Sequence, residues 1–223
     1  MSFESPTINE YSHQENLSHR QMDAAWANGW RHFGSYFFRY SHTAIDETAK
    51  RVIPLCIQLA DFTPSKSQKR IISKNRDLTV VVRDAFLDQQ KIDMFDRHKA
   101  RFNENVPEKL SIFTGEEPAT IPCETKEICL LKDDKLVGLS FWDIGSNSTS
   151  SIYAMFEPEE SKRSLGIYLI LTSIRLSNQI GKTFYYPGYA YRESSHYDYK
   201  KKFSALYYYD WSGDWRAFKL LED

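Results

Sequence analysis

The sequence of 223 residues predicts an α+β fold, a mixed sheet flanked by helices and preceded by an N-terminal α/β portion. Three observations predict it. The second half reads β-β-β-α-β-α-β. A long amphipathic helix, Ser164 to Gly181, sits between two strands. In the first half an alternating strand, Val52 to Asp61, runs into a helix start at Thr63-Pro64-Ser65.

Each element has its own signal. Residues 1–18 are polar and are expected to be flexible. Ser18 suits a helix cap, and Met22, Ala25, Trp26 and Gly29 share one side of a helix from His19 to Trp30. Trp30 to Tyr40 is aromatic and β-like, with Gly34 as a bend or bulge. Ser41 to Lys50 reads as a polar loop. In the next strand Ile53, Leu55, Ile57 and Leu59 alternate against Cys56 and Gln58. Pro64 fits a first helical turn and the flanking hydroxyls fit a cap, so a helix runs to about Asn75. Leu78 to Val82 is a short strand. Asp88 to about Asn103 is helical, with Ile92, Phe95 and Phe102 near one face. Pro107, Gly115, Pro118 and Pro122 mark a connection. Ile128 to Leu131 and Leu136 to Ile144, joined by Lys132-Asp133-Asp134-Lys135, form a hairpin. A turn from Gly145 to Ser150 leads to a strand from Ile152 to Phe156. The long helix carries Leu165, Tyr168, Leu169, Leu171, Thr172 and Leu176 at helical spacing and ends on Gly181. Thr183 to Tyr186 is a strand that Pro187-Gly188 breaks. His196 to Lys202 is a short helix, and Ala205 to Tyr209 a last strand. The expected organisation is a flexible terminus (1–18), an N-terminal portion (19–104), a connecting loop (105–127) and a second domain (128–223).

Composition narrows the function. Aromatic residues make up 15%, which argues against disorder, and the net charge of −1 excludes a uniformly basic nucleic-acid binder. Any polyanion surface must come from local clustering. Cys56, Cys123 and Cys129 form no CxxC pair, and the six His show no HxxxH, so no metal site is expected. Reduced thiols fit a cytoplasmic protein. No secretory signal or membrane span is legible, and no membrane partner is expected.

Local clusters do exist. Residues 62–76 contain no acid, and Lys66, Lys69, Arg70, Lys74 and Arg76 fall among them. On a helix, 66, 69/70 and 73/74 share a side that faces either a phosphate backbone or solvent. Ser161 to Tyr168 places Arg163 and free N–H groups at a helix start, an anion site or simply a capped helix. This stretch resembles the R-x-x-G-x-G/A loop that holds the pyrophosphate of coenzyme A in acetyltransferases. Tyr168 replaces the last small residue, and a phenol there hinders close backbone approach. Tyr185 to Glu193, followed by the basic run to Lys202, combines Tyr189, Tyr191 and Arg192 with Lys200, suiting either stacking on unpaired bases or a packed aromatic core with a basic rim. Glu157, closing a strand before Pro158, is a candidate acid/base or cation-binding group, with Tyr189 and Glu193 as further candidates. No GxSxG, HExxH or Cys–His signal points to covalent catalysis.

In collinear order, Gly29-Trp-Arg31-His-Phe-Gly34, Phe62-Thr-Pro-Ser-Lys-Ser-Gln-Lys-Arg70, Asn75-Arg-Asp-Leu78, Ser151-Ile-Tyr153-Ala-Met-Phe-Glu-Pro158, Ser164-Leu-Gly-Ile-Tyr168, Tyr186-Pro-Gly-Tyr189 and Tyr199-Lys-Lys-Lys-Phe203 resemble the arginyl-tRNA–protein transferase family, including its bacterial leucyl-transferring branch. The resemblance covers about residues 20–218. It implies a GNAT-like fold and transfer of an amino acid, arginine or similar, from charged tRNA to the α-amine of a protein N-terminus, as in protein arginylation and N-degron formation. Aminoacyl-tRNA is then the co-substrate, with no other cofactor, and an acceptor protein or peptide is the second partner; no DNA is involved. The catalytic residues expected are Glu157, Tyr189 and Tyr153. Arg31, Lys66, Lys69, Arg70 and Lys74 are expected to bind tRNA, as are Arg163, Arg192, Lys200 and Lys202. The family carries a C-x-x-C just before the strand matched by Val52 to Ile57. Here Ser41 to Lys50 holds no Cys, with Asp46 and Glu47 present instead. Two alternatives stand beside this reading: an acyl-CoA N-acyltransferase, and a tRNA-binding module without catalysis.

Overall fold

The computed structural model describes residues 7–45, 48–102 and 106–218. Residues 1–6, Asp46, Glu47 and Asn103 lie outside the described residues. In chain order the elements are β1 (Asn9–His13), α1 (His19–Ala27), β2 (Arg31–Phe33), β3 (Tyr36–Tyr40), β4 (His42–Ile45), β5 (Thr48–Gln58), α2 (Lys66–Lys74), β6 (Thr79–Asp84) and α3 (Gln89–Lys99). Then follow α4 (Ser111–Thr114), β7 (Thr125–Lys132), β8 (Lys135–Ile144), β9 (Ser148–Phe156), α5 (Leu165–Gln179), β10 (Phe184–Tyr191), β11 (Leu206–Tyr209) and β12 (Trp215–Ala217). Short 3-10 turns occupy Leu59–Asp61, Pro158–Arg163 and Asp198–Lys202.

The main sheet, of nine strands among the described residues, runs β12-β11-β5-β10-β9-β8-β7-β6, with β4 paired to β5. Only β9 and β10 pair in parallel; the other pairings are antiparallel. The sheet is therefore mixed, and helices flank it, as the α+β expectation required. β5 lies between β10 and β11, and β6 lies beside β7, so strands from residues 19–104 and 128–223 interleave in one sheet.

Period-two side-chain direction divides the core. Ile53, Leu55 and Ile57 of β5 face Leu165, Leu169 and Ile174 of α5, with Ile71 and Ile72 of α2 at the margin. On the opposite face Cys56 and Tyr186 pack with Met22 and Trp26 of α1 and with Phe37 of β3. Farther along that face Met94 and Phe95 of α3 cover Leu139, Phe141 and Met155. Capping boxes start α1 at Ser18 and α2 at Ser65, each closed by a Gln three residues on.

Four expectations need correction. Within the polar terminus, residues 9–13 form β1 on β3, held by Tyr11 stacking on Tyr36 and by Glu10 on Arg39 at 2.8 Å. These are cross-strand contacts that local composition does not announce. The expected loop from Ser41 to Lys50 is the β4–β5 hairpin, polar because that end of the pair faces solvent. In α3 the inward side is Lys91, Met94, Phe95 and His98, while Ile92 and Phe102 are exposed. Lys91 is drawn inside because Glu127 of β7 waits there, 2.8 Å from its Nζ. Lastly, Pro187-Gly188 does not end β10; the strand continues to Tyr191 through an irregularity between Tyr185 and Gly188.

Candidate active site

β9 and β10 are bonded only at their first residues, Ser148 to Ser150 against Phe184 to Tyr186. Past that point β9 pairs with β8 alone and β10 with β5 alone. Pro187, at the point of parting, brings no N–H to a ladder. Gly188 follows with φ +96°, a conformation that favours glycine. The strands thus open into a cleft whose walls are Ser151 to Phe156 and Pro187 to Tyr191.

Two cations enter this cleft from other elements. The Arg31 guanidinium, on β2, donates to the Ser150 hydroxyl and to the Ser151 carbonyl and is 8% exposed. Ser150 Oγ in turn donates to the Tyr186 carbonyl at 3.2 Å, so Arg31 clamps both strands where they part. Lys200, on the 3-10 turn, donates from Nζ to the Tyr189 carbonyl at 3.1 Å, with the Tyr197 ring 5.0 Å away. A Cβ on Gly188 would lie 3.4 Å from Lys200 Nζ and 3.5 Å from an Arg31 nitrogen. Burial lowers the pKa of Arg31, and burial together with Arg31 lowers that of Lys200 to about 7. Among the described residues no carboxylate lies within ion-pair distance of either cation. Tyr185, whose hydroxyl pairs with Ser151 Oγ at 2.7 Å, closes the floor.

The residues expected to be catalytic are distributed differently. Tyr189 donates its hydroxyl to the Gly29 carbonyl at 2.6 Å, and burial pushes its pKa up. Tyr153 stacks on Phe113 at 4.1 Å between ring centroids. Its hydroxyl is buried with no hydrogen-bond partner, and burial raises its pKa. Glu157 is not a free carboxylate: it accepts from Arg97 of α3 at 2.9 and 2.8 Å in a forked pair. It borders a surface cavity that it shares with Lys132, Glu159 and Glu160.

The expected tRNA-contacting cations fall into three groups. Lys66, Lys69, Arg70 and Lys74 are exposed on α2, with Arg76 just after it. Gln68, buried on the inner side of α2, donates to the Lys202 carbonyl at 3.3 Å, placing exposed Lys202 beside the helix. Arg192 is exposed over the Tyr208 ring. Arg163 is engaged: it pairs with Asp77 at 2.8 Å and with Glu160 at 2.6 Å, so its charge is already met. Arg31 and Lys200 turn inward to the cleft. The 3-10 turn thus sends Lys200 in and Lys202 out, and so links the basic face to the cleft. Sequence reasoning missed Ser150 and Ser151 as cleft residues, while Tyr185 and Gly188 fell within the Tyr185 to Glu193 cluster it singled out. The signal available for them was the serine-rich start of β9 ahead of a Pro-Gly pair in the next strand. Residues 41–50, where the resemblance implies a C-x-x-C, hold no Cys, so no thiolate pair stands at that place.

Residues 83–210 match the family model described as arginine-tRNA-protein transferase, C terminus. Over 203 residues the chain is 25% identical to an aspartate/glutamate leucyltransferase of Helicobacter hepaticus, covering 89% of this chain and 83% of that protein. It is 31% identical to the aspartate/glutamate leucyltransferase of Shewanella oneidensis over 161 residues, 66% of this chain and 63% of that one. Among solved structures, the L-PGS of Bacillus licheniformis gives a TM-score of 0.47 at 15% identity, covering 75% of this chain and 63% of that one. The family model takes in more than half of the residues and reaches across the whole cleft from β9 to β10, and the chain belongs to the arginine-tRNA–protein transferase family of aminoacyltransferases.

Proposed function

We propose that this protein passes an aminoacyl group from charged tRNA to the α-amine of a protein or peptide that begins with Asp or Glu, and that the β9–β10 cleft receives the acidic side chain. The observation that carries this reading is the pair Arg31 and Lys200 meeting over Gly188 without a protein carboxylate. Arg31 is buried and Lys200 half-buried, and the carboxylate that acts on Arg31, Asp143, is already engaged by His32 and Thr125, so a substrate carboxylate would complete the pair. The names of the relatives, aspartate/glutamate leucyltransferases, agree with an acidic acceptor.

The chemistry is aminolysis of an ester. The neutral α-amine attacks the aminoacyl carbonyl, the C–N bond forms, the ester C–O bond breaks, and the proton lost by nitrogen ends on the departing ribose oxygen. An activated ester asks mainly for positioning, which the two cations supply through the acceptor side chain. The unpartnered Tyr153 hydroxyl is the available donor for the developing oxyanion. The exposed α2 face and Lys202 take the tRNA backbone, and charged tRNA places the reaction in the cytoplasm.

The test incubates the full chain with a mixed pool of labelled aminoacyl-tRNAs and peptides beginning with Asp, Glu, Asn, Gln or Ala. Label on the Asp and Glu peptides is the expected result, and the consumed tRNA identifies the cargo. Acylation from acetyl-CoA with no transfer from tRNA overturns the reading in favour of an acyl-CoA enzyme. Binding of charged tRNA without any transfer overturns it in favour of a binding module.

A further inference from the structure

Behind the cleft, the residue next to Arg31 belongs to a second, fully buried cluster. His32 of β2, Cys123 of the segment before β7, and Asp143 of β8 are 2%, 2% and 0% exposed. One ligating atom from each lies within 4.8 Å of the others. His32 Nδ1 faces the Gly34 carbonyl at 3.0 Å. A carbonyl only accepts, so Nδ1 carries a proton and Nε2 is turned to the cluster. There it meets Asp143 Oδ2 at 2.8 Å. A proton between these two atoms accounts for that distance, and a metal ion held jointly with Cys123 Sγ would replace the proton with the atoms moved slightly apart. The other Asp143 oxygen accepts from the Thr125 hydroxyl at 2.7 Å, across the β7–β8 register that pairs these residues.

We propose that His32 Nε2, Cys123 Sγ and an Asp143 carboxylate oxygen form a binding site for a divalent cation of the zinc class. The donor set is that of such ions: imidazole, thiolate and carboxylate. The supporting groups have the arrangement that metal sites use. A backbone carbonyl holds the far nitrogen of the histidine, and a hydroxyl holds the far oxygen of the carboxylate. One thiolate and one carboxylate cancel the charge of the ion, so the occupied site is neutral, as complete burial demands. The ion would tie β2 to β8 and to the segment before β7, and would fix the backbone from which Arg31 reaches the cleft. This site is separate from the Cys motif of the family and does not depend on the acceptor proposed above.

The full-length protein, stripped with chelator, is titrated with Co²⁺ and then Zn²⁺. The expected result is one equivalent bound, with a sulfur-to-cobalt charge-transfer band that Zn²⁺ abolishes. Thr125→Val keeps all three donors and is expected to weaken binding about 10- to 100-fold while retaining the band. Cys123→Ser is expected to lose the band, with folding checked by circular dichroism. Wild-type protein that binds no Co²⁺ or Zn²⁺, or binds cobalt with no sulfur band, overturns the proposal and leaves a proton shared by His32 and Asp143.

Discussion

Lys200 Nζ and the Arg31 guanidinium meet over the bare Cα of Gly188, where a methyl group would stand 3.4 Å from one and 3.5 Å from the other. Gly188 also has φ +96°, so a side chain there strains the backbone and would touch both cations at contact distance. Gly188→Ala is expected to lower stability by about 1–3 kcal/mol. It is also expected to raise KM for an acidic acceptor peptide. Thermal melts and transfer kinetics check the two effects separately.

The acidity of Lys200 makes the site sensitive to pH. The groups facing it are Arg31 from β2, the Tyr189 carbonyl from β10 and the Tyr197 ring from its own turn. Burial, then Arg31, lowers its pKa from 10.5 to about 7. Between those values the unfolded chain holds the proton that the folded chain has released, so the free protein gains stability as pH rises through that window. Binding moves the other way. Above about pH 7 the free site loses a cation, so KM for an Asp peptide rises relative to KM for its Asn counterpart. The ratio cancels the titration of the shared α-amine, and in Lys200→Met it is expected to be flat with pH.

The exposed α2 cations are expected to act on tRNA without affecting the fold. Lys69→Glu with Arg70→Glu is expected to weaken binding of charged tRNA, and to reduce the slope of log K against log salt by about 1.5–2 if each residue meets one phosphate. Filter retention across a salt series measures both. An unchanged slope in the folded variant removes α2 from the tRNA surface.

Lys91 and Glu127 form an ion pair of 2.8 Å in which both side chains are 0% exposed. Glu127 keeps Arg83 at 2.6 Å when Lys91 is removed. Lys91→Met is therefore expected to cost about 3 kcal/mol, the lower end of the range for a broken buried pair. Lys91→Met with Glu127→Leu is expected to recover most of that loss. Urea denaturation of the three proteins measures it.

Much of the fold is legible because it rests on local signals. Ser18 and Ser65 announce their helices with capping boxes, and Ile53 to Leu59 shows its alternation openly. β1 and β4 are not legible, since β1 is polar and β4 only four residues long, and each gains its order from a partner strand. The site was read in part. The α2 cations stand exposed as the sequence suggests. Arg163 and Glu157 carry the right charge at a helix start and a strand end, yet Asp77, Glu160 and Arg97 already meet those charges. Arg31 and Lys200 look like two more surface cations because burial of a cation depends on what surrounds it in space. Only the parting of β9 from β10 makes an interior for them.

The decisive comparison is KM for Asp-started and Asn-started peptides, in the wild type and in Lys200→Met, with charged tRNA saturating. The wild type is expected to favour Asp by about tenfold or more, the value of a hydrogen-bonded charge, and the variant, which keeps Arg31, to favour it clearly less. A preference for Asp that survives intact in the folded variant contradicts the assignment of the cleft to the acidic acceptor.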